Sequence, residues 1–300
     1  MATAAEPRKA SLPLPGGQEG ATVKLHPLLV ARMKAPPGGM HREEGRLAAL
    51  KALGLRVPRE QWDDVPVVAF LVEHPGAGAI LVDTGFHPSV AVDSKGAMGR
   101  LGGIVFKDIR MESDQNVPDQ LRERGLEPSD VGTVVMTHLH MDHAGAISEF
   151  PQATFVLSDT EWESAAGGNE LGGYAKRQFD HAFDYRLLDF ESAESDSFAS
   201  FGRSFDLFGD GSVRLVFTPG HTAGHLSVVL RLHDREALLC SDAAYTASTI
   251  EDTRLPYLME DEHRFRRSLR EIQLYAEQTP DALVVPGHDM RAFLLLDRQY

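Results

Sequence analysis

The chain has 300 residues and a formal net charge of −14 at pH 7. So acidic a balance disfavours nucleic acid and anionic membrane surfaces as partners, leaving a neutral or small substrate as the easier expectation. An apolar share of 42% and a charged share of 25% are those of a soluble globular protein, and no run of about 18 apolar residues is present to span a bilayer. The one cysteine, Cys240, excludes an intrachain disulfide and fits a reducing compartment. The N-terminus lacks the apolar stretch of a secretory signal, so a cytoplasmic location is the default expectation.

Residues 1–21, rich in Ala, Pro and Gly, predict a disordered leader, with one compact domain over 22–300. Val23–Met33 predicts a first strand, broken by Pro36-Pro37-Gly38-Gly39, and Arg42–Leu53 predicts a short helix ended by Gly54. Val65–His74 and Ala79–Gly85 are apolar and β-branched around a Pro-Gly turn, which predicts a hairpin. Phe86–Asn116 has no clear period, and an irregular stretch of that length is more often functional than a linker. A helix is predicted over Pro118–Leu126, a buried strand over Val131–His138, and a strand over Ala153–Asp159 that leads into a helix. Residues 165–200 give no clear pattern. Strands are then predicted over Val213–Gly220, His225–Leu232 and Glu236–Asp242. An amphipathic helix over His263–Glu277 would bury Phe265, Leu269, Ile272 and Ala276, and a last strand would end at His288.

Chemistry-bearing residues recur at the ends of these strands. The segment His-Leu-His-Met-Asp-His supplies His138, His140, Asp142 and His143 within six positions. Neutral imidazole and carboxylate are standard zinc ligands. Alternation along an extended chain lets His138 and His140 converge on one metal, while Asp142 and His143 lie beyond the turn and can face a second. His221 follows a strand and a Pro-Gly turn, Asp242 ends a strand, and His288 follows another strand and Pro-Gly turn. Two zinc ions with four protein ligands each need eight contacts. Seven residues provide them if one carboxylate bridges, and Asp242 is the natural bridge because a carboxylate has two oxygens.

The order HxHxDH, then His, Asp and His, resembles the metallo-β-lactamase superfamily, and the resemblance runs from about Val65 to Met290. It implies an α/β fold, a four-layer αβ/βα sandwich with two mixed β-sheets inside and helices outside. It implies two Zn2+ per chain, with other divalent metals able to occupy such nitrogen and oxygen sites. One metal would take His138, His140 and His221, the other Asp142, His143 and His288, with Asp242 bridging. Asp83, in Asp-Thr-Gly, resembles a supporting residue of that family rather than a ligand. His140 stands where the oxygen-reducing di-iron members carry Glu, which favours hydrolysis.

Tyr245, three residues after Asp242, together with Thr-Pro-Gly-His-Thr-Ala-Gly-His and the closing Pro-Gly-His-Asp-Met, is similar to the N-acyl-homoserine lactonases, the quorum-quenching branch. That resemblance implies attack of a metal-bridging hydroxide on the lactone carbonyl, with Tyr245 polarising the carbonyl oxygen and Asp142 carrying the proton to the leaving ring oxygen. The alternatives are a different lactone, a glyoxalase II-like thioester, a phosphoester, or a non-catalytic metal-dependent sensor. The expected partner is a small-molecule lactone, and a second copy of the chain is compatible with the frequency of homodimers.

The remaining residues have plainer readings. His225 is expected to support the site by packing, and Cys240 to be a buried, inert thiol. His26, His41, His74, His87, His181, His233 and His263 are expected to be surface or structural. Met98, Leu101, Ile104, Phe106 and Met111 are candidates for an acyl-chain groove or a dimer contact, whereas Phe198, Phe201, Phe205 and Phe208 are expected in ordinary packing.

Overall fold

The computed structural model describes residues 4–97, 99 and 107–300. The long apolar run of Asp63–His74 shows why the centre of the molecule is layered. Val67, Ala69 and Leu71 point into one apolar cluster, and Val68, Phe70 and Val72 point into another. A strand whose alternate residues are apolar on both faces must be covered on both faces.

In chain order the strands are β1 (Arg8–Lys9), β2 (Lys24–Ala35), β3 (Asp63–His74), β4 (Gly78–Val82), β5 (Lys107–Arg110), β6 (Val131–Val135) and β7 (Thr154–Ser158). They continue with β8 (Asp184–Leu188), β9 (Asp196–Phe198), β10 (Phe201–Asp206), β11 (Val213–Phe217), β12 (Leu226–Arg231), β13 (Glu236–Ser241) and β14 (Leu283–Pro286). One sheet has eight strands in the order β1-β8-β7-β6-β4-β3-β2-β5, and the other has six in the order β14-β13-β12-β11-β10-β9. Both are mixed: β4, β6, β7 and β8 pair in parallel beside the antiparallel β2–β3–β4 meander, and β14 pairs in parallel with β13 on an otherwise antiparallel sheet.

The two sheets face each other across one core, where Phe70, Val82, Val135 and Val156 meet Leu215, Val228, Leu239 and Val285. On the outer face of the first sheet, Leu71, Leu81, Val134 and Phe155 pack against Val117, Leu121 and Ala165 of two helices, Val117–Arg122 and Asp159–Ala166. On the outer face of the second, Val216, Val229 and Leu238 pack against Ile272 and Tyr275 of the helix Glu262–Gln278. The result is the helix–sheet–sheet–helix sandwich expected from the motifs. Among the described residues no helix is long and apolar enough to cross a membrane.

The structure departs from the sequence expectations in several places. The segment expected as a disordered leader is laid along the body from residue 4 onward. β1 pairs with the edge of β8, Leu14 N–H donates to Leu207 O at 2.8 Å, and Ala5 and Ala10 are buried. Such a segment has no apolar period of its own, yet its backbone satisfies a sheet edge that would otherwise lie unpaired. The helix expected over Arg42–Leu53 is confined to Ala48–Ala52, with a separate turn of helix at Pro37–Met40, and Gly45 takes the left-handed φ of 108° between them. β8 and β10 form within and beside the stretch that gave no clear pattern. The long helix buries Tyr275 rather than Ala276, which is only partly covered, because the larger ring fills the space under the sheet.

Met98, Leu101, Ile104 and Phe106 lie outside the described residues, while Met111 is buried in the core of the first sheet. Phe201, Phe205 and Phe208 are buried and Phe198 packs against the same cluster as Phe201. With Ile272 buried and Ala276 only partly covered, Ile272→Ala should lower the unfolding free energy by about 2–5 kcal/mol, and Ala276→Ser should change it by about 0.5 kcal/mol or less, as read by chemical denaturation.

Candidate metal centre

Strand ends from both sheets meet at one edge of the sandwich. β4 stops at Val82 and delivers Asp83, whose φ is 60°. β6 stops at Val135, short of the expected His138, because the Thr137 N–H is taken by Asp83 Oδ1 at 2.8 Å and is lost to the ladder. The short helix Met141–Ala144 then carries Asp142 and His143, with His140 as its N-terminal flanking residue. From the second sheet, β11 leads to His221, β13 to Asp242 and β14 to His288. Gly220, with φ 136°, is required before His221, since a Cβ there would collide with the backbone of Phe265.

The seven predicted ligand residues are brought together. Three sets of ligand atoms lie within 4.8 Å of one another: His138, His140 and His221; His138, His143 and Asp242; and Asp142, His143 and His288. Asp242 stands between them. Its Oδ1 is 3.3 Å from His143 Nε2, and its Oδ2 is 3.2 Å from His221 Nε2 and 3.1 Å from His288 Nε2. Asp142 Oδ2 lies 3.6 Å from both His143 Nε2 and His288 Nε2. Every member except His140 is buried.

The surrounding hydrogen bonds decide which face of each ring looks inward. His143 Nδ1 is 2.8 Å from Asp83 Oδ2, so Nδ1 carries the proton and donates it to the carboxylate. Thr137 Oγ1 donates to the same carboxylate at 2.8 Å, and must therefore accept from His138 Nδ1 at 3.1 Å and from Ser241 Oγ at 2.9 Å. His288 Nδ1 faces the Pro66 carbonyl at 3.1 Å, which can only accept. In His138, His143 and His288 the Nε2 lone pair is thus turned into the site. Among the described residues, Nε2 of His138 and His143 and Oδ1 of Asp242 are buried with no hydrogen-bond partner.

Burial works to lower His143 and His288, but the neighbouring carboxylates Asp142 and Asp242 outweigh it and raise both above the usual imidazole range. Burial depresses His138 and His221 well below the usual imidazole range, and neighbouring imidazoles add to the effect. Burial also raises Asp142, reinforced by Asp242 and opposed by His143 and His288. Burial works to raise Asp242 too, but His288, His221 and His143 outweigh it and hold its carboxyl well below the ordinary value. Clustered, inward-facing lone pairs and two buried carboxylates are what divalent cations require, and the residues present fit such a site.

Tyr245 lies beside this cluster, its hydroxyl 3.3 Å from His221 Nδ1 and its ring packed near His288. Burial keeps its phenol well above the usual value, so it stays protonated at neutral pH. His225 is in contact but turned away from the centre. Its Nε2 accepts from the Asp242 N–H at 3.1 Å, so Nδ1 is protonated and donates to Thr218 Oγ1 at 3.0 Å. Cys240 is buried and its thiol is raised by burial. His74 serves the fold: Nδ1 accepts from Gly76 and Ala77 N–H, and Nε2 donates to Asp210 at 3.0 Å. His26 pairs with Glu73, and His87 with Glu149.

Sequence reasoning missed Glu161. As an acid in the first turn of a helix it looks like an ordinary partner of the helix dipole, yet it is fully buried against the two histidine loops. The order of residues gave no sign of that contact.

The sequence profile of the metallo-beta-lactamase superfamily matches residues 62–288. The chain belongs to that superfamily. It is 36% identical over 234 residues to an N-acyl homoserine lactonase, AttM, of Rhizobium radiobacter, covering 77% of this chain and 84% of that protein. It is 31% identical over 246 residues to the N-acyl homoserine lactonase AiiB of Agrobacterium fabrum, covering 78% and 83%. Its fold is similar to the crystal structure of a B. thuringiensis AiiA mutant with N-decanoyl-L-homoserine bound at the active site. That likeness has a TM-score of 0.73 at 23% identity, over 92% of this chain and 97% of that one.

Because Asp83 fixes His143 directly and His138 through Thr137, Asp83→Ala should weaken metal binding by roughly 10–100-fold. Competition of the purified protein with a chromophoric chelator checks this.

Proposed function

We propose that the protein is a di-zinc hydrolase that opens the lactone ring of N-acyl homoserine lactones. The observation that carries the reading is a buried set of inward-facing imidazoles and carboxylates with a protonated tyrosine at its edge. It is supported by the 36% identity to a lactonase. His138, His140 and His221 would hold one metal and Asp142, His143 and His288 the other, with Asp242 between them. Bound there, the metals supply Lewis acidity and an activated water at neutral pH.

The side chains account for the rest of the chemistry. With Nε2 of His221 committed to a metal, its Nδ1 holds the proton and donates to the Tyr245 oxygen. The Tyr245 O–H, which faces Asp242, would then turn to donate to the oxyanion that develops on the lactone carbonyl. The burial that keeps Tyr245 protonated also makes that hydrogen bond stronger than it would be in water. Asp142, a buried carboxylate at the centre of the cluster, is placed to accept the proton of the attacking water and return it to the departing ring oxygen. Tyr245 is itself anchored in an apolar core cluster with Met40 and Val65, flanked by Met33 and Ala35. The ring-opened product leaves without a covalent enzyme intermediate, and no serine or cysteine nucleophile is needed. A cytoplasmic setting is part of this proposal.

Zinc-loaded protein should open N-acyl homoserine lactones faster than it opens a plain γ-lactone or cleaves a glutathione thioester, with all three followed side by side. Lactone opening no faster than in the metal-free control refutes the proposal, and preferential thioester cleavage moves the assignment to that substrate class. Tyr245→Phe should retain its metals and lose roughly 10–1000-fold in kcat. Asp242→Ala should lose metal from both positions, as elemental analysis would show.

A further inference from the structure

Glu161 has no part in the chemistry described so far, yet its carboxylate is completely buried. Oε1 accepts from the Leu139 N–H at 2.9 Å. Oε2 accepts from the Thr222 hydroxyl at 2.6 Å and from the Gly224 N–H at 3.3 Å. Leu139 is the residue between His138 and His140, and Thr222 follows His221. One carboxylate therefore joins the two chain segments that carry the three imidazoles grouped as one metal position.

The fit around it is close. A Cβ on Gly224 would collide with the backbone of Glu161, so the His221 loop can approach the helix Asp159–Ala166 only with glycine there. Glu260 braces the same loop from the other side, where its Oε2 accepts from the Ala223 N–H at 2.8 Å. The three groups that converge on Glu161 are all donors; burial raises its carboxyl to about 7, these hydrogen bonds oppose that shift, and the ionised form is the one that accepts from all three. A glutamine would turn an amide N–H toward at least one of them, and an alanine would leave them buried without partners.

We infer that Glu161 is a positioning residue for the metal position formed by His138, His140 and His221, setting the spacing between its two loops. The other position has braces that do not pass through Glu161: His143 is held by Asp83, which also reaches His138 through Thr137, and His288 by the Pro66 carbonyl. Loss of Glu161 therefore acts on one metal and spares the other. This assignment rests on the two-metal reading proposed above.

The test compares wild-type protein, Glu161→Gln and Thr222→Val by stepwise Zn2+ titration against a chromophoric chelator. Co2+ absorption spectra and thermal melts accompany it. Glu161→Gln should weaken one of two metal-binding steps by roughly 10–100-fold and leave the other unchanged. Thr222→Val, which removes one donor and keeps the carboxylate, should shift the same step by less. Equal weakening of both steps in parallel with a lowered melting temperature means a general structural role and overturns the inference, as does no change in either. Should Glu161→Gln fail to fold, Thr222→Val decides by the same criterion. If wild-type protein binds a single metal, the two-metal reading fails. The role of Glu161 then stands if the variants weaken that metal without lowering the melting temperature, and falls if they do not.

Discussion

Everything at the sheet edge follows from one constraint: imidazoles and carboxylates have been removed from water together. Burying a charged carboxylate without compensation is strongly unfavourable. Asp142 and Asp242 are both buried, and the nitrogens nearest them on His143 and His288 present lone pairs, because the far nitrogen of each ring is already committed as a donor. Lone pair facing carboxylate at 3.1–3.3 Å is repulsive unless something positive stands between them. A proton would serve: burial works to lower His143 and His288, but the facing carboxylates outweigh it and raise both above their usual range. A divalent cation satisfies several such contacts at once, which is why the arrangement is better matched to metal than to protons.

The sandwich supplies the rigidity that such a cluster needs. β3, β4 and β6 are buried on both faces, so their ends cannot drift without disturbing two cores. Asp83 uses that anchorage most fully. Held in a left-handed conformation just past β4, it accepts from the Thr137 backbone, the Thr137 hydroxyl and His143. A single carboxylate from one strand thus fixes the start of the next loop and the tautomers of two rings. Ser241, at the end of β13, donates to the same Thr137 hydroxyl at 2.9 Å and ties the second sheet into this network.

Much of this was legible in the sequence where local order and spatial order coincide. His138, His140, Asp142 and His143 fall within one turn of chain, and the other three ligands each follow an apolar run ended by a turn. The layers were legible because alternation along β3 and the period of the long helix are properties of single segments. What escaped depended on contacts between segments. Glu161 looks like a helix-start acid until the 221–224 loop is laid over it. The N-terminal segment looks formless because its partner, the edge of β8, lies far along the chain. The exchange of Ala276 for Tyr275 on the buried helix face reflects the space left by Phe201 and Leu238, which no helical period encodes.

The support around the centre is also divided by origin. The His143 and His288 rings are oriented by groups that end strands of the first sheet or lie along it, Asp83 after β4 and Pro66 within β3. The His138, His140 and His221 loops are joined by Glu161 from a helix on the outer face of that sheet, with Asp83 also reaching His138 through Thr137, and the backbone of Asp242 is held by His225 from the second. Asp242 lies where these two systems of support meet, with one oxygen toward His143 and the other toward His221 and His288. A carboxylate in that place couples the two halves mechanically as well as electrostatically.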